Sequence, residues 1–462
     1  MASAAGFFGT SRWIRHLNSN RTGTWAGSAE WGIRMSERHL DARMQTVDLC
    51  HFRDPALAMN STPVPKSQRS PLAQRCQYFT ESVIREMTRI AQRHGAINLG
   101  QGMPDFDAPE TVKEAACDAI RQGYNQYAIT WGAPALRKAI AEKARVFNGI
   151  DADPERQITV CCGATECMMA TMLALVDPGD EVVIFQPFYE NYGPDALMSG
   201  ATPRWVPLRW PDWRFDPDEL RAAFSQKTRA IILNTPNNPT GKVFAREELQ
   251  WISDLCIEHD VYALSDEIYE YIRFGDTPHI SIATLPGMAA RTVTISGLSK
   301  TFSITGWRLG YCIAPAEMSV GIRKAHDFLT VGAPHPLQMA GAAALDMPPG
   351  YYQKLQDDYR RRRDLFVPYL IDAGFECRSP EGAYYVMTDI GGFQSGLDDV
   401  AFVRRMIETV GVSAVPGSSF YSPRSIGHQK VRFMFAKKDQ TLHDAGRRLQ
   451  GLRRALSEGA EI

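Results

Sequence analysis

The sequence lacks any apolar run that could cross a bilayer. Stretches such as Val182-Val183-Ile184-Phe185 and Ala230-Ile231-Ile232-Leu233 fall far short of the about 18 residues that a span needs. It also lacks an excess of either charge, with 51 Lys plus Arg against 52 Asp plus Glu in 462 residues. That balance argues against nucleic-acid and polybasic membrane-surface partners. Nine cysteines show neither a disulfide framework nor paired CxxC zinc spacing, and the nearest two, Cys161 and Cys162, are adjacent. No metal site is therefore expected, and a reducing, cytoplasmic compartment is the default. No repeat or low-complexity segment interrupts residues 76–462. What is left is a chain that is 44% hydrophobic, long enough for two cores.

The charge is unevenly spread. Residues 1–75 hold ten Lys plus Arg and five Asp plus Glu, leaving 41 against 47 in the rest. This leading stretch is rich in Gly, Ser, Arg and Pro and has no helical or strand period, so it is expected to be a flexible basic extension. Its first forty residues, with Arg12, Arg15, Arg21, Arg34 and Arg38 against Glu30 and Glu37, loosely fit an organellar transit peptide. The other readings are a disordered extension or an upstream start with initiation at Met35, Met44 or Met59. It has no secretory apolar region and no helix-turn-helix pattern, which counts against a ligand-sensing DNA-binding regulator.

From residue 76 the pattern alternates short β-branched runs with helical stretches, the signature of an α/β protein. Strands are expected at Glu181–Gln186, Arg229–Asn234, Val261–Ser265, Thr292–Ser296 and Arg308–Ala314, with helices over 164–176, 246–259 and 316–330. Runs without polar alternation, such as Ala230 to Leu233, fit parallel strands covered on both faces. After residue 347 come a long charged helix at Tyr352–Leu370, a strand at Tyr384–Met387, a helix over 398–410, a strand at Lys430–Phe435 and a closing helix over 440–456. The expected organisation is an N-terminal segment at 76–120, a large domain at 121–346 and a smaller α+β domain at 347–462.

One segment concentrates the chemistry. In Ser296-Gly297-Leu298-Ser299-Lys300-Thr301-Phe302-Ser303-Ile304-Thr305-Gly306-Trp307-Arg308-Leu309-Gly310, a lysine stands among small residues after an apolar strand. Such a lysine can form a Schiff base with an aldehyde, and Arg308 can grip a phosphate as a two-pronged cation. Taken alone, a loop lysine is a solvated charge. Two further segments, Asn234-Thr235-Pro236-Asn237-Asn238-Pro239-Thr240-Gly241 and Ser265-Asp266-Glu267-Ile268-Tyr269, also follow strands, where open α/β sheets place ligands. Gly163-Ala164-Thr165 stands where a strand gives way to a helix, so its N–H groups can meet an anion.

Together these segments closely resemble the signatures of the class I and II pyridoxal-phosphate aminotransferases, and the resemblance runs from about Ile97 to Phe433. It implies a mostly parallel seven-stranded sheet covered by helices, as in aspartate aminotransferase, with a smaller α+β domain. It makes Lys300 the catalytic residue that holds pyridoxal 5'-phosphate and then moves the substrate Cα proton. Gly163, Ala164, Thr165, Ser299 and Arg308 would hold the phosphate, and Tyr189 would stack on the ring. Asp266 would face the ring nitrogen, and Asn238 and Tyr269 the phenolic oxygen. Gly102, in Asn98-Leu99-Gly100-Gln101-Gly102-Met103-Pro104-Asp105-Phe106, would offer a backbone N–H to the substrate carboxylate, which Arg432 would clamp. Tyr127 would reach the phosphate of a neighbouring subunit, implying a homodimer with shared sites.

The look is nearest to the kynurenine, glutamine and methionine aminotransferases. Where that group carries an indole beside the substrate this chain has Ile84, and where it carries an aromatic-His pair this chain has Val331-Gly332. Both changes widen the pocket. The implied reaction moves an amino group between an L-amino acid and a 2-oxo acid. The same site chemistry also serves pyridoxal-phosphate lyases and carbon–carbon-bond-forming enzymes, which stand as the alternative.

Overall fold

The computed structural model describes residues 70–77, 79 and 82–458. The basic extension therefore lies outside the described residues up to position 69, together with its start-site and transit-peptide readings. Seven strands form the main sheet: β1 (Ile158–Cys161), β2 (Glu181–Gln186), β3 (Thr202–Pro207), β4 (Thr228–Asn234), β5 (Tyr262–Asp266), β6 (Thr292–Gly297) and β7 (Gly310–Ile313). Their order is β1-β7-β6-β5-β4-β2-β3. All neighbours are parallel except β7, which runs against both β1 and β6. Every residue of β2 and β6 is buried, as expected of strands roofed by helices on both faces.

A second sheet, all antiparallel, is built from β8 (Glu376–Cys377), β9 (Tyr385–Asp389), β10 (Val415–Pro416) and β11 (Lys430–Met434) in the order β10-β11-β9-β8. A two-residue pairing, Ile97–Asn98 alongside Val412–Ser413, ties the segment that leads to Gly102 into this part of the chain. No helix among the described residues is long and apolar enough to cross a membrane.

Several expected elements are corrected. The strand placed at Arg308–Ala314 begins only at Gly310, because Arg308 has φ 55° and caps the short turn Thr305–Trp307. The long helix extends over Pro349–Ala373. A proline in its first turn removes no hydrogen bond, and Gly374, at φ 108°, stops it. The strand near Tyr384 covers Tyr385–Asp389. The closing helix is two pieces, Asp439–Leu449 and Leu452–Glu458. The edge strand β3 was not foreseen, since Pro203 and Pro207 disguise it; an edge tolerates prolines that a central strand would not.

Candidate active site

The sheet explains how distant motifs meet. Parallel β4, β5 and β6 are neighbours, with Asn234 in register with Asp266 and Asp266 with Ile295. Their carboxyl ends therefore deliver Asn234–Asn238, Asp266–Tyr269 and Ser299–Lys300 to one edge of the sheet. β7 enters from that same edge, pairing Gly310 with both Gly297 and Cys161. Arg308, just ahead of it, thus lies beside the turn that follows β1. A cavity of about 530 Å³ opens there.

At one end of the cavity, Gly163 caps helix Ala164–Leu175 with φ 91°. A Cβ at Gly163 would collide with the Arg308 guanidinium. A side chain there would be strained at this φ and would push the guanidinium aside, so glycine suits the gap between the helix N-terminus and the cation. A helix N-terminus facing an arginine is an anion cradle, and Ala164, Thr165, Ser299 and Arg308 all line the cavity beside it. The groups present fit the phosphate of pyridoxal phosphate.

Deeper in, Asp266 ends β5 and is buried. The Tyr192 hydroxyl donates to its Oδ2 at 2.8 Å and the Ile268 N–H to its Oδ1 at 3.2 Å. Burial nevertheless pushes the carboxyl up to about 6, against the pull of those donors and of Lys300. Tyr269 is buried with its hydroxyl 3.2 Å from that of Tyr385. Tyr189 lines the same wall, with burial holding its phenol at about 12.

The Lys300 amine donates to the Gly102 carbonyl at 3.5 Å and lies 5.8 Å and 5.7 Å from the ring centres of Tyr269 and Tyr384. Desolvation lowers its pKa, with Arg308 and Arg432 acting in the same direction. That favours the neutral, nucleophilic amine.

Arg432, on β11, is 1% exposed. Its Nη1 donates to Asn238 Oδ1 and its Nη2 to the Gly100 carbonyl, both at 2.7 Å. Its guanidinium carbon stands 4.1 Å from the Tyr385 ring centre, and its Nε is buried without a hydrogen-bond partner among the described residues. Asn238 therefore presents its carbonyl to Arg432 and keeps its amide N–H groups for a ligand. Gly102 lines the cavity, but the contacts it makes here run through its carbonyl, which also accepts from Tyr384 at 3.1 Å. A Cβ at Gly102 would strike the Tyr385 hydroxyl, so only glycine brings the backbone this close.

Of the residues expected at the site, one stands apart. Tyr127 is 84% exposed and does not line the cavity. Three residues had not been anticipated: Tyr192, which holds Asp266, and the pair Tyr384 and Tyr385. Tyr192 follows Tyr189 by three positions, the spacing of one helical turn, which is the only local hint of it.

Residues 94–449 match the family model for aminotransferase class I and II. The chain belongs to the class I and II aminotransferases. It is 40% identical over 371 residues to the methionine aminotransferase of Escherichia coli (strain K12), covering 80% of this chain and 96% of that protein. It is 39% identical over 401 residues to mouse kynurenine–oxoglutarate transaminase 3, covering 81% and 88% respectively. Among solved structures, N-succinyldiaminopimelate aminotransferase from Mycobacterium tuberculosis superposes with a TM-score of 0.80 at 40% identity, over 82% of this chain and all of that one. Thermus thermophilus aspartate aminotransferase with maleate gives 0.77 at 33% identity, over 83% and 100%. The protein is thus an aminotransferase of amino-acid metabolism, with the α/β fold and the pyridoxal phosphate cofactor of its class.

Proposed function

We propose that Lys300 is the catalytic residue of this aminotransferase and that Arg432 receives the substrate α-carboxylate. The observation that carries this reading is the meeting of Lys300, Asp266, Arg308 and Arg432 in one cavity from three separate stretches of chain. Bound pyridoxal phosphate supplies the electron-poor ring that takes up the electron pair left when the substrate Cα loses its proton. Arg308, Ser299 and the N-terminus of helix Ala164–Leu175 hold its phosphate. Asp266 serves the ring nitrogen, where a positive partner draws the carboxyl back to its ionised form. Asn238 and Tyr269 would donate to the phenolic oxygen, and Tyr189 would stack on the ring. Arg432 fixes the carboxylate with a planar fork, which orients the Cα–H bond. Lys300, whose pKa desolvation lowers, removes that proton and returns it.

The working unit is a homodimer. Tyr127, Ile129, Phe328, Leu329 and Val331 are all exposed, and hydrogen bonds from His335 to Gln126 O and from Thr130 to Asp327 join the two segments that carry them. An apolar surface of this kind suits a second copy, to which Tyr127 would offer its hydroxyl. Eight unpaired cysteines among the described residues suit a reducing cytoplasm.

The test is to add single L-amino acids to the purified protein and follow its visible absorbance together with 2-oxo acid release. Conversion to the pyridoxamine form with stoichiometric 2-oxo acid is expected. Ammonia release without that conversion would favour the lyase alternative.

A further inference from the structure

The space around Lys300 continues outward. Ser82, Arg85, Glu190 and Asp195 line both the main cavity and a second one of about 420 Å³. Phe188 and Trp205, stacked at 4.6 Å, form an apolar wall of that second space. Asp195, on the helical turns Tyr192–Met198, is 2% exposed, and its Oδ2 has no hydrogen-bond partner among the described residues. Burial alone pushes its carboxyl up to about 8.

A buried carboxyl without a donor is destabilising, and native chains seldom keep one without a reason. The cofactor does not supply that reason, because each of its polar groups has other holders in the reading above. Glu190 is half satisfied, its Oε1 accepting from the Ser82 hydroxyl at 2.6 Å. The cations that face this space are Arg85, exposed on helix Val83–Arg93, and Arg424, which lines the second cavity only. In its ionised form Asp195 needs a hydrogen-bond donor, and the residue lines the main cavity from which one can come.

We infer that Asp195 and Glu190 form a side-chain subsite for amino-acid donors whose side chain ends in an N–H-bearing group, basic amino acids first. An ammonium or guanidinium gives the Asp195 carboxyl the donor that the described residues withhold and meets the second oxygen of Glu190. Phe188 and Trp205 take the methylenes that lead to it. The inference rests on the aminotransferase reading of the site.

The experiment measures kcat/KM of the holoenzyme in the amino-donor half-reaction with L-ornithine, L-lysine and L-arginine, and with L-norleucine as a neutral chain of similar length. In the wild type at least one basic donor is expected to exceed norleucine by about tenfold or more. Asp195→Asn is expected to lower that ratio about tenfold, and Glu190→Gln to lower it less. The cofactor's visible band, measured on each variant, reports folding. Asp195→Leu, which replaces the acid with an apolar side chain, gives a second reading of the same ratio. Norleucine matching or exceeding all three basic donors would overturn the subsite. So would an Asp195→Asn protein that loses activity toward both classes equally. If no amino acid of any kind converts the cofactor, the aminotransferase reading fails and the subsite with it. Conversion by norleucine alone sinks only the subsite.

Discussion

The inner and outer ends of the cavity are built on different principles. At the inner end, strand termini locked in register deliver Asn238, Asp266 and Lys300, and both carboxylate oxygens of Asp266 and both terminal nitrogens of Arg432 are partnered: two donors on Asp266, and Asn238 with the Gly100 carbonyl on Arg432, whose Nε alone lacks a partner among the described residues. At the outer end, Ser82, Arg85, Glu190 and Asp195 come from a helix entrance and a short helical stretch outside the sheet, and Asp195 is left with an open valence. A hydrogen-bonded sheet resists local change, because moving one strand end displaces its neighbours. Side chains on a short helix can be exchanged without touching that lattice. Cofactor chemistry is thereby held constant while substrate choice stays free to vary.

The comparison breaks most readily at Lys300. Lys300→Ala is expected to lower transamination by about 10⁴-fold or more and to abolish the borohydride-reducible link between chain and cofactor. A variant that kept both would show that the inner end is organised around some other group. Arg432→Lys retains the charge but replaces the fork by a point, and it also gives up one of the two 2.7 Å bonds to Asn238 Oδ1 and Gly100 O. Steady-state kinetics should show kcat/KM down by about 10²-fold for every amino acid tested. A loss confined to one substrate class would move Arg432 from the inner end to the outer.

How far each end could be read in advance follows the same division. Lys300, Asp266, Asn238 and Gly163 were legible because each sits at the end of an apolar strand or in the short loop that follows one, so strand and motif are read together. The left-handed conformation of Arg308 was not, because it depends on β7 entering the sheet against its neighbours, a fact of pairing rather than of local sequence. Tyr192 was missed because its partner lies 74 positions away. The inward role of Tyr384 and Tyr385 depends on how β9 packs against β11. Asp195 carries no local signal in the sequence, and only burial separates it from an acid in solvent.

Two smaller effects sharpen the contrast. Tyr192→Phe removes the 2.8 Å donor on Asp266, so the carboxyl should rise further above its present value of about 6. The proposed role of Asp266 at the ring nitrogen requires it ionised, so the acid limb of kcat/KM should move to higher pH. The maximal rate should fall about tenfold, and an unmoved limb would mean that Tyr192 only fills space.

Asp195→Asn acts on stability, with a sign set by linkage. The acid titrates near 3.8 when unfolded and at about 8 when folded. Its protonated form therefore favours the folded state at low pH, and that contribution is lost as pH rises from about 4 to about 8. Asparagine does not titrate, so the variant should melt close to the wild type near pH 4 and at a higher temperature near pH 8, by a few degrees. Calorimetry on the full chain with its cofactor at both pH values reads the gap. A gap that stays constant with pH would show that Asp195 already has a partner in the folded protein, and the contrast between the two ends would then be lost at this residue.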